Sequence, residues 1–177
     1  AFNEEAMIEK TAAVINEILA DESIPYEMIF VDDGSKDKTW DRIVSTSAKY
    51  HTVRGVHFSR NFGKEAAIMA GLTESRGECC VVIDCDLQHP PEKIVDMYRL
   101  WEQGYEVIEG RKASRGEEGK LHRLGAKLFY SLISAATGFD MENASDFKLL
   151  DRKAVNVLKN MNARNAFFCV LSSWLVF

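Results

Sequence analysis

Two short apolar runs of this chain each end at aspartates. Residues 28–31 read Met-Ile-Phe-Val and are followed by an aspartate pair, and residues 79–83 read Cys-Cys-Val-Val-Ile and are followed by Asp84 and Asp86. Short continuous apolar runs are typical of strands buried in a parallel sheet. Open sheets of this kind bind ligands at the carboxyl ends of their strands. The acids are therefore predicted to line a binding site at one edge of a sheet.

The spacing of Asp84 and Asp86 favours a bound cation. Side chains two residues apart in an extended segment point to the same side, and two unpaired carboxylates there would be costly to desolvate. A hard divalent cation with oxygen ligands removes that conflict, and such cations usually arrive with the phosphates of a substrate. The sequence thus predicts a metal–nucleotide site. The alternative is a pair of exposed turn acids that cap the helix beginning at Pro91.

Strand and helix patterns alternate along the chain. Strands are predicted at 26–31, 53–58, 79–84, 105–109 and 147–150, and helices at 4–20, 38–50, 63–75, 91–103, 119–136 and 151–161. This alternation implies an α/β fold with a mostly parallel central sheet and helices on both faces. Asn3 is a reasonable N-cap for the first helix.

The ends of the sequence suggest a fragment. The chain begins at Ala1 rather than at a methionine, directly before the first helix, and it stops within the apolar stretch 167–177. We expect residues 1–177 to form a single domain that lacks its first strand and any C-terminal membrane region. No apolar run is long enough to span a bilayer, so the fragment itself is expected to be soluble.

Charge and cysteine content narrow the class of partner. The net charge of −5 argues against nucleic-acid binding. Residues 111–127, however, carry six basic side chains against two acidic ones. Such a basic island on an acidic chain suggests a local anionic partner, and the alternative is an ordinary solvated helix face. The four cysteines have no zinc-site spacing, and a reducing, cytosolic-side location follows.

Several segments of the chain resemble a known family when they are taken in order. They are Phe2–Glu5, Val31–Thr39, Ser59–Lys64 and Asp84–Glu92. Together they resemble the family 2 inverting glycosyltransferases, which have the GT-A fold of nucleotide-diphospho-sugar transferases. Gly110-Arg111 and Ser145–Arg152 fit the subgroup that transfers a sugar from a nucleotide donor to a polyprenyl phosphate. That subgroup includes dolichyl-phosphate mannose synthase and bacterial bactoprenol glucosyltransferases.

The resemblance implies roles for the residues of the donor site. Residues expected to bind the nucleotide-sugar donor are Asn3, Glu4, Asp33, Lys64 and Asp84. Residues expected to hold a divalent cation, Mg²⁺ or Mn²⁺, are Asp84, Asp86 and Gln88, with Asp86 the surer ligand. The cation would neutralise the departing nucleoside diphosphate, which makes Asp86 a catalytic residue. Cys85 is expected to point away from the metal and to pack in the core, because neighbouring side chains on a strand alternate.

The chemistry of a lipid phosphate acceptor predicts cationic side chains near the donor sugar. A phosphate monoester is largely dianionic at neutral pH, since its second pKa is about 6, and it can attack without losing a proton. Arg111 is the strongest candidate for gripping that phosphate and is assigned a catalytic role, with Arg115 and Arg123 beside it. Asp146 is also expected to be catalytic, either orienting the acceptor or a cation, or acting as a base toward a hydroxyl acceptor. Attack from the opposite face inverts the anomeric centre.

The resemblance implies transfer of a sugar from a nucleotide donor such as UDP-glucose to a polyprenyl phosphate, for modification of the cell envelope. One alternative is a family 2 enzyme that acts on a sugar or polysaccharide; another is a non-catalytic nucleotide-binding or receiver-like signalling module. The expected location is the cytoplasmic face of the bacterial inner membrane. The basic, apolar helix at 119–136 would contact the membrane surface or else pack in the core. A homo-oligomer is possible, and no nucleic acid is expected.

Overall fold

A computed structural model describes residues 1–110 and 145–160 of the protein. The predictions for the basic island, including Arg111, Arg115 and Arg123, lie outside these residues. So do those for the helix at 119–136 and the apolar stretch at 167–177.

Within residues 1–110 and 145–160, five helices and five strands alternate much as predicted. The helices are α1 (Ile8–Asp21), α2 (Thr39–Lys49), α3 (Lys64–Glu74), α4 (Lys93–Glu102) and α5 (Arg152–Asn160). The strands are β1 (Met28–Asp32), β2 (Val53–His57), β3 (Cys79–Val82), β4 (Val107–Glu109) and β5 (Lys148–Asp151). The predicted α/β class is confirmed.

The strands form two sheets. In the first, β1 and β2 pair in parallel, with Met28 opposite Val53. In the second, the order is β3-β5-β4, and β5 runs antiparallel to both neighbours, with Leu149 opposite Val81 and Ile108. Because β3 and β4 both run opposite to β5, they are parallel to each other. The described strands are thus mostly parallel, and β5 is the reversed one.

Apolar faces of the helices cover both sheets. Ile15 and Leu19 of α1 and Ile94 and Met97 of α4 pack in one core cluster with Leu149. A second cluster joins α5 to Leu72 of α3 and Leu150 of β5, and a third joins α1 to β1 and α2. Between the sheets lies a cavity of about 1130 Å³, with β1 and β3 as facing walls and residues of α1, α3 and α4 around them.

Two predicted helix starts were wrong. α1 begins at Ile8, and its N-cap position is Met7, so Asn3 does not cap it. Asn3 instead has a positive φ of 55° in the segment that leads into the helix. α4 begins at Lys93, because Pro90 and Pro91 form a preceding turn whose carbonyls accept the N–H groups of Lys93 and Ile94.

No helix within residues 1–110 and 145–160 combines the length and the apolar character needed to cross a bilayer.

Replacing Leu150 with alanine should destabilise the domain by about 2–5 kcal/mol, the usual cost of removing a buried leucine side chain and leaving a cavity. Leu150 is 0 % exposed between α3 and α5. The measurement is urea denaturation followed by circular dichroism. Val157→Ala is the control, because Val157 is 37 % exposed and should lose less than about 0.5 kcal/mol. Equal losses in the two variants would contradict this account of the core.

Candidate active site

Lys64 joins two acids that lie far apart in the sequence. Its ammonium Nζ is 2.9 Å from Asp84 Oδ2 and 2.7 Å from Asp146 Oδ2. Lys64 is the first residue of α3, Asp84 follows β3, and Asp146 precedes β5. Because β5 runs antiparallel to β3, the residue before β5 lies beside the carboxyl end of β3. The topology therefore brings together three residues that the sequence analysis had assigned to one site.

The Lys64 ammonium is held in its charged form. Burial alone would lower the pKa of Lys64, but the hydrogen bonds to Asp146 and Asp84 and the charges of these two acids outweigh it and raise that pKa well above its ordinary value. The side chain of Asp146 is 24 % exposed, compared with 42 % for Asp84. Asp146 is therefore the more enclosed partner, and its carboxylate is already engaged by a cation.

Asp86 lies in the turn that follows β3. Its Oδ1 accepts a hydrogen bond of 3.0 Å from the backbone N–H of Gln88, and Leu87 between them has a positive φ of 57°. Asp86 lines the polar mouth of the cavity between the sheets, together with Glu4, Asp33, Lys64 and Asp84. The acids predicted from the two strand ends thus converge, as their positions in a parallel arrangement require.

The donor atoms at this mouth suit a hard divalent cation. The carboxylates of Asp84 and Asp86, which line the cavity, offer oxygen, which Mg²⁺ and Mn²⁺ prefer. Gln88, the third predicted ligand, is exposed and is not among the residues that line the cavity. In the part of the chain that the structure describes, no cluster of three or more His, Cys, Asp or Glu side chains is arranged to hold a metal. A cation bound by Asp84, Asp86 and Gln88 would therefore need further ligands from phosphate oxygens or water.

Cys85 packs as predicted. It contacts the core cluster that contains Ile8, Ala12 and Phe30, and its carbonyl accepts a 2.7 Å hydrogen bond from the Thr11 hydroxyl. Desolvation by burial raises the pKa of its thiol to about 11. A protonated, largely enclosed thiol is a packing group rather than a metal ligand.

Asp33 fixes the loop that delivers Lys64. Its two carboxylate oxygens accept hydrogen bonds of 2.7 Å from the Phe62 N–H and 3.0 Å from the Gly63 N–H. The preceding turn requires glycine at position 34, where φ is +69° and an added Cβ would lie 2.4 Å from a backbone carbon of Arg60. Asp33 was predicted to bind the donor; in the structure its carboxylate orders the loop before α3.

Asp32 is a structural residue of the same turn. Its side chain is 0 % exposed. One carboxylate oxygen accepts hydrogen bonds from the backbone and hydroxyl of Ser35, and the other lies 2.7 Å from Nδ1 of His57. The His57 ring stacks on Trp40. These contacts satisfy the buried carboxylate and tie the end of β1 to β2 and α2.

Asn3 and Glu4 hold the N-terminal segment against the loop after β1. The side-chain oxygen of Asn3 accepts a 2.9 Å hydrogen bond from Lys36 N–H, and its own N–H donates to Ser35 Oγ. The Glu4 N–H donates to the Thr39 hydroxyl, which leaves the Glu4 carboxylate at the mouth of the cavity. Of these two predicted donor residues, Glu4 lines the mouth, whereas the Asn3 side chain is engaged by the loop.

Glu109 and Lys148 are two residues of this region that were not predicted from the sequence. Glu109 ends β4, and its Oε1 accepts a 2.7 Å hydrogen bond from the Ser145 N–H. The Lys148 side chain is only 1 % exposed, and its Nζ lies 3.9 Å from the same oxygen. An acid at the carboxyl end of a strand is the same signal that identified Asp84. At Glu109 it was overlooked in favour of the adjacent Gly110-Arg111.

Comparison with known proteins decides the family. The family model described as Glycosyl transferase family 2 matches residues 1–158. The chain belongs to glycosyl transferase family 2. This membership confirms the family predicted from the sequence and argues against a receiver-like signalling module.

Curated relatives cover nearly the whole chain. A glycosyltransferase of Synechocystis sp. is 38% identical over 175 residues, which is 98% of this chain and 55% of the relative. A prophage bactoprenol glucosyl transferase homolog of Escherichia coli is 35% identical over 98% of this chain and 57% of its own length. The bactoprenol glucosyl transferase of Shigella phage SfV is 34% identical with the same coverage. The chain therefore spans little more than half the length of these relatives.

Solved structures confirm the GT-A fold. Glucosyl-3-phosphoglycerate synthase from Mycobacterium tuberculosis, in complex with uridine diphosphate, has a TM-score of 0.58 at 24% identity, covering 87% of this chain and 55% of that one. Mannosyltransferase PcManGT from Pyrobaculum calidifontis, in complex with GDP-Man and Mn²⁺, also has a TM-score of 0.58, at 17% identity, covering 89% of this chain and 44% of that one.

The thiol of Cys85 should react slowly with iodoacetamide. Because burial raises its pKa to about 11 from an ordinary value of 9.0, the thiolate fraction at pH 8 falls about 100-fold. Lower alkylation of Cys85 by at least that factor, relative to protein unfolded in urea, is the expected result. The rate is measured by mass spectrometry of the peptide that contains Cys85. Equal rates in folded and unfolded protein would contradict the packing role.

Proposed function

We propose that this chain is the catalytic part of an enzyme that transfers a hexose from a nucleotide-diphosphate sugar, such as UDP-glucose, to a polyprenyl phosphate with inversion. The proposal is supported by relatives named bactoprenol glucosyl transferases at 34–36% identity over 98% of the chain. The observation that carries it is the cluster of Lys64, Asp84 and Asp146 beside Asp86, because it combines a fixed cation with acids at the carboxyl edge of the sheet. The acceptor implies action at the cytoplasmic face of a bacterial inner membrane.

The donor diphosphate is proposed to bind at the mouth of the cavity. Asp84, Asp86 and Gln88 would hold a divalent cation there, and when bound it supplies charge neutralisation for the departing nucleoside diphosphate. Lys64 places a second positive charge at the same point, and its ammonium has three donors, of which the two acids use two. The third remains for an oxygen of the donor, consistent with the donor-binding role predicted for Lys64.

Asp146 is proposed to orient cations rather than to remove a proton. Its carboxylate is paired with Lys64 at 2.7 Å, and an acid stabilised in its charged form by a close cation is a weakened base. A phosphate acceptor needs no base, because it is already anionic at neutral pH. The enzyme's task is then positioning and charge compensation. This supports the lipid phosphate over a sugar hydroxyl acceptor for which Asp146 would have to be the base.

Arg111, Arg115 and Arg123 remain the proposed ligands of the acceptor phosphate. Arg111 directly follows Gly110, whose N–H donates a 2.8 Å hydrogen bond to the carbonyl of Phe147, the residue after Asp146. The chain therefore enters the basic island from a point next to the cluster. A guanidinium can bind a phosphate through two hydrogen bonds, which is the reason for this assignment.

Asp86→Asn should lower the rate of glycolipid formation by at least about 100-fold, because the cation that compensates the leaving group loses a charged ligand. The full-length protein is incubated with a panel of UDP- and GDP-sugars, polyprenyl phosphate and Mg²⁺ or Mn²⁺, and the lipid product is identified by mass spectrometry. A chelator should abolish the product, and either metal should restore it.

Asp96→Asn is the matched control, because Asp96 is an exposed acid paired with Lys93 on α4. Its rate should equal that of the unaltered enzyme. Transfer to a soluble sugar but none to the lipid would replace the proposed acceptor. Full activity in the presence of the chelator would refute the metal.

We also propose that residues preceding Ala1 in the full protein form a strand between β1 and β3. Ala1 already sits in parallel register opposite Asp32, since its amino group donates to the Val31 carbonyl at 2.7 Å and its carbonyl accepts from the Asp33 N–H at 2.9 Å. The Met28 N–H donates a 2.7 Å hydrogen bond to the Thr52 carbonyl, so the backbone groups of Met28 point toward β2. Because backbone groups alternate between the two edges of a strand, Ile29 and Val31 turn theirs toward the cavity.

β3, which faces β1 across the cavity, also directs backbone groups into it. The Glu78 carbonyl accepts a hydrogen bond from the Arg152 N–H on the β5 side. The same alternation directs the backbone groups of Cys79 and Val81 away from β5 and into the cavity. One parallel strand placed there would join the two sheets into one. The deep, apolar part of the cavity is therefore proposed as the seat of this strand, and only its polar mouth as the donor site.

Amide hydrogen exchange tests this strand. In the full-length protein, the amides of Val31 and Val81 should exchange at least about tenfold more slowly than in the chain that begins at Ala1. The amides of Phe30 and Cys80, which face β2 and β5, are the controls and should change much less. Equal exchange of Val31 and Val81 in the two proteins would refute the proposed strand.

A further inference from the structure

Asp146 meets Lys64 only if the short segment before β5 is held in place. Asp146 lies between Ser145, whose N–H is bound by Glu109, and Phe147, whose carbonyl is bound by the Gly110 N–H. Both anchors are at the end of β4. The Glu109 anchor is a charge-assisted hydrogen bond of 2.7 Å, which is stronger than a neutral one.

Glu109 is in turn held by a buried cation. Lys148 is directly opposite Glu109 in the β4–β5 register, and its Nζ lies 3.9 Å from the Glu109 oxygen that binds Ser145. The Lys148 side chain is 1 % exposed and that of Glu109 is 17 % exposed. Opposite charges at this distance attract each other, and burial strengthens the attraction, so this ion pair favours a position of the Glu109 carboxylate close to Lys148.

We propose that Glu109 is a positioning residue for sugar transfer: its carboxylate, fixed by Lys148, holds the Ser145–Asp146 backbone at the point where Asp146 meets Lys64. The sequence of contacts runs from Lys148 to Glu109, to the Ser145 N–H, and through Asp146 to Lys64 and Asp84. Glu109 thus acts on the donor site without touching it. The catalytic purpose of this arrangement rests on the proposed function, whereas the geometric part does not.

The first test is kinetic and uses the full-length enzyme. Glu109→Ala removes the acceptor of the Ser145 N–H, and a displacement of about 1 Å at a reacting group can cost about 100-fold in rate. We expect kcat for glycolipid formation to fall about 10- to 100-fold while KM for the nucleotide sugar changes less than about threefold. Glu109→Gln keeps an oxygen acceptor at the same place and should recover kcat to within about threefold of the unaltered enzyme.

Two further variants separate positioning from general damage. Glu106→Ala is the matched control, because Glu106 is an acid just before β4 that forms an exposed ion pair with Lys153; its kcat should be unchanged. In an Asp146→Asn background, Glu109→Ala should lower kcat little further, since both changes disrupt the same contact between residue 146 and Lys64. Full additivity of the two losses would overturn the proposal.

The second test needs no substrate. Competitive acetylation followed by mass spectrometry gives the reactivity of Lys64, which its pairing with Asp146 suppresses. Glu109→Ala should raise that reactivity at least about threefold, as should Asp146→Asn, whereas Glu106→Ala and Glu109→Gln should not. If Glu109→Ala does not fold, as judged by thermal denaturation, Glu109→Gln decides: reactivity of Lys64 as high as in Asp146→Asn would refute the proposal.

The two tests fail in different ways. If the unaltered enzyme forms no glycolipid, the proposed function is wrong, and the acetylation result still decides whether Glu109 positions Asp146. If Lys64 reactivity and kcat are both unchanged in folded Glu109→Ala, the positioning role is wrong and the proposed function stands.

Discussion

The ion pairs of Lys64 with Asp84 and Asp146 are the interaction on which the site depends. They connect the start of α3, the end of β3 and the start of β5, three points that are far apart in the sequence. Each pair is half exposed or less, so solvent screens it only in part. Without the Lys64 ammonium, the two carboxylates would repel each other at the carboxyl edge of the sheet. The position of Lys64 therefore decides whether this edge can be organised at all.

The position of Lys64 depends on the turn after β1. Asp33 binds the N–H groups of Phe62 and Gly63, immediately before Lys64, and Asp33 can reach them because Gly34 allows the loop to pass close to Arg60. The turn after β1 thus positions the Lys64 ammonium, which pairs with Asp84 at the end of β3. This explains why an aspartate expected to contact the donor is 4 % exposed and fully engaged by backbone donors.

Much of the fold and of the acidic edge of the sheet could be predicted from the sequence, because both depend on local patterns. The apolar runs that end at Asp32 and Asp84 identify strands and their carboxyl ends. The pairing of Lys64 with Asp146 could not be predicted in the same way, since it depends on β5 running antiparallel to β3. At Asn3 the local pattern gave a wrong prediction. Asn3 is a typical capping residue, but its side chain accepts a hydrogen bond from the Lys36 N–H, because the N-terminal segment runs along β1 before the helix begins.

The charges at the mouth of the cavity bear on the need for a cation. Glu4, Asp33, Asp84 and Asp86 line the cavity together with Lys64. Lys64 is shared between Asp84 and Asp146, so most of its positive charge is already offset before a diphosphate binds. A nucleotide sugar brings further negative charge to an edge that is already acidic, and close like charges cost several kcal/mol at the dielectric of a partly enclosed site, about 4 kcal/mol per pair at 4 Å. An additional positive charge therefore favours binding of such a donor, and this is the role proposed for a divalent ion on the oxygens of Asp84, Asp86 and Gln88.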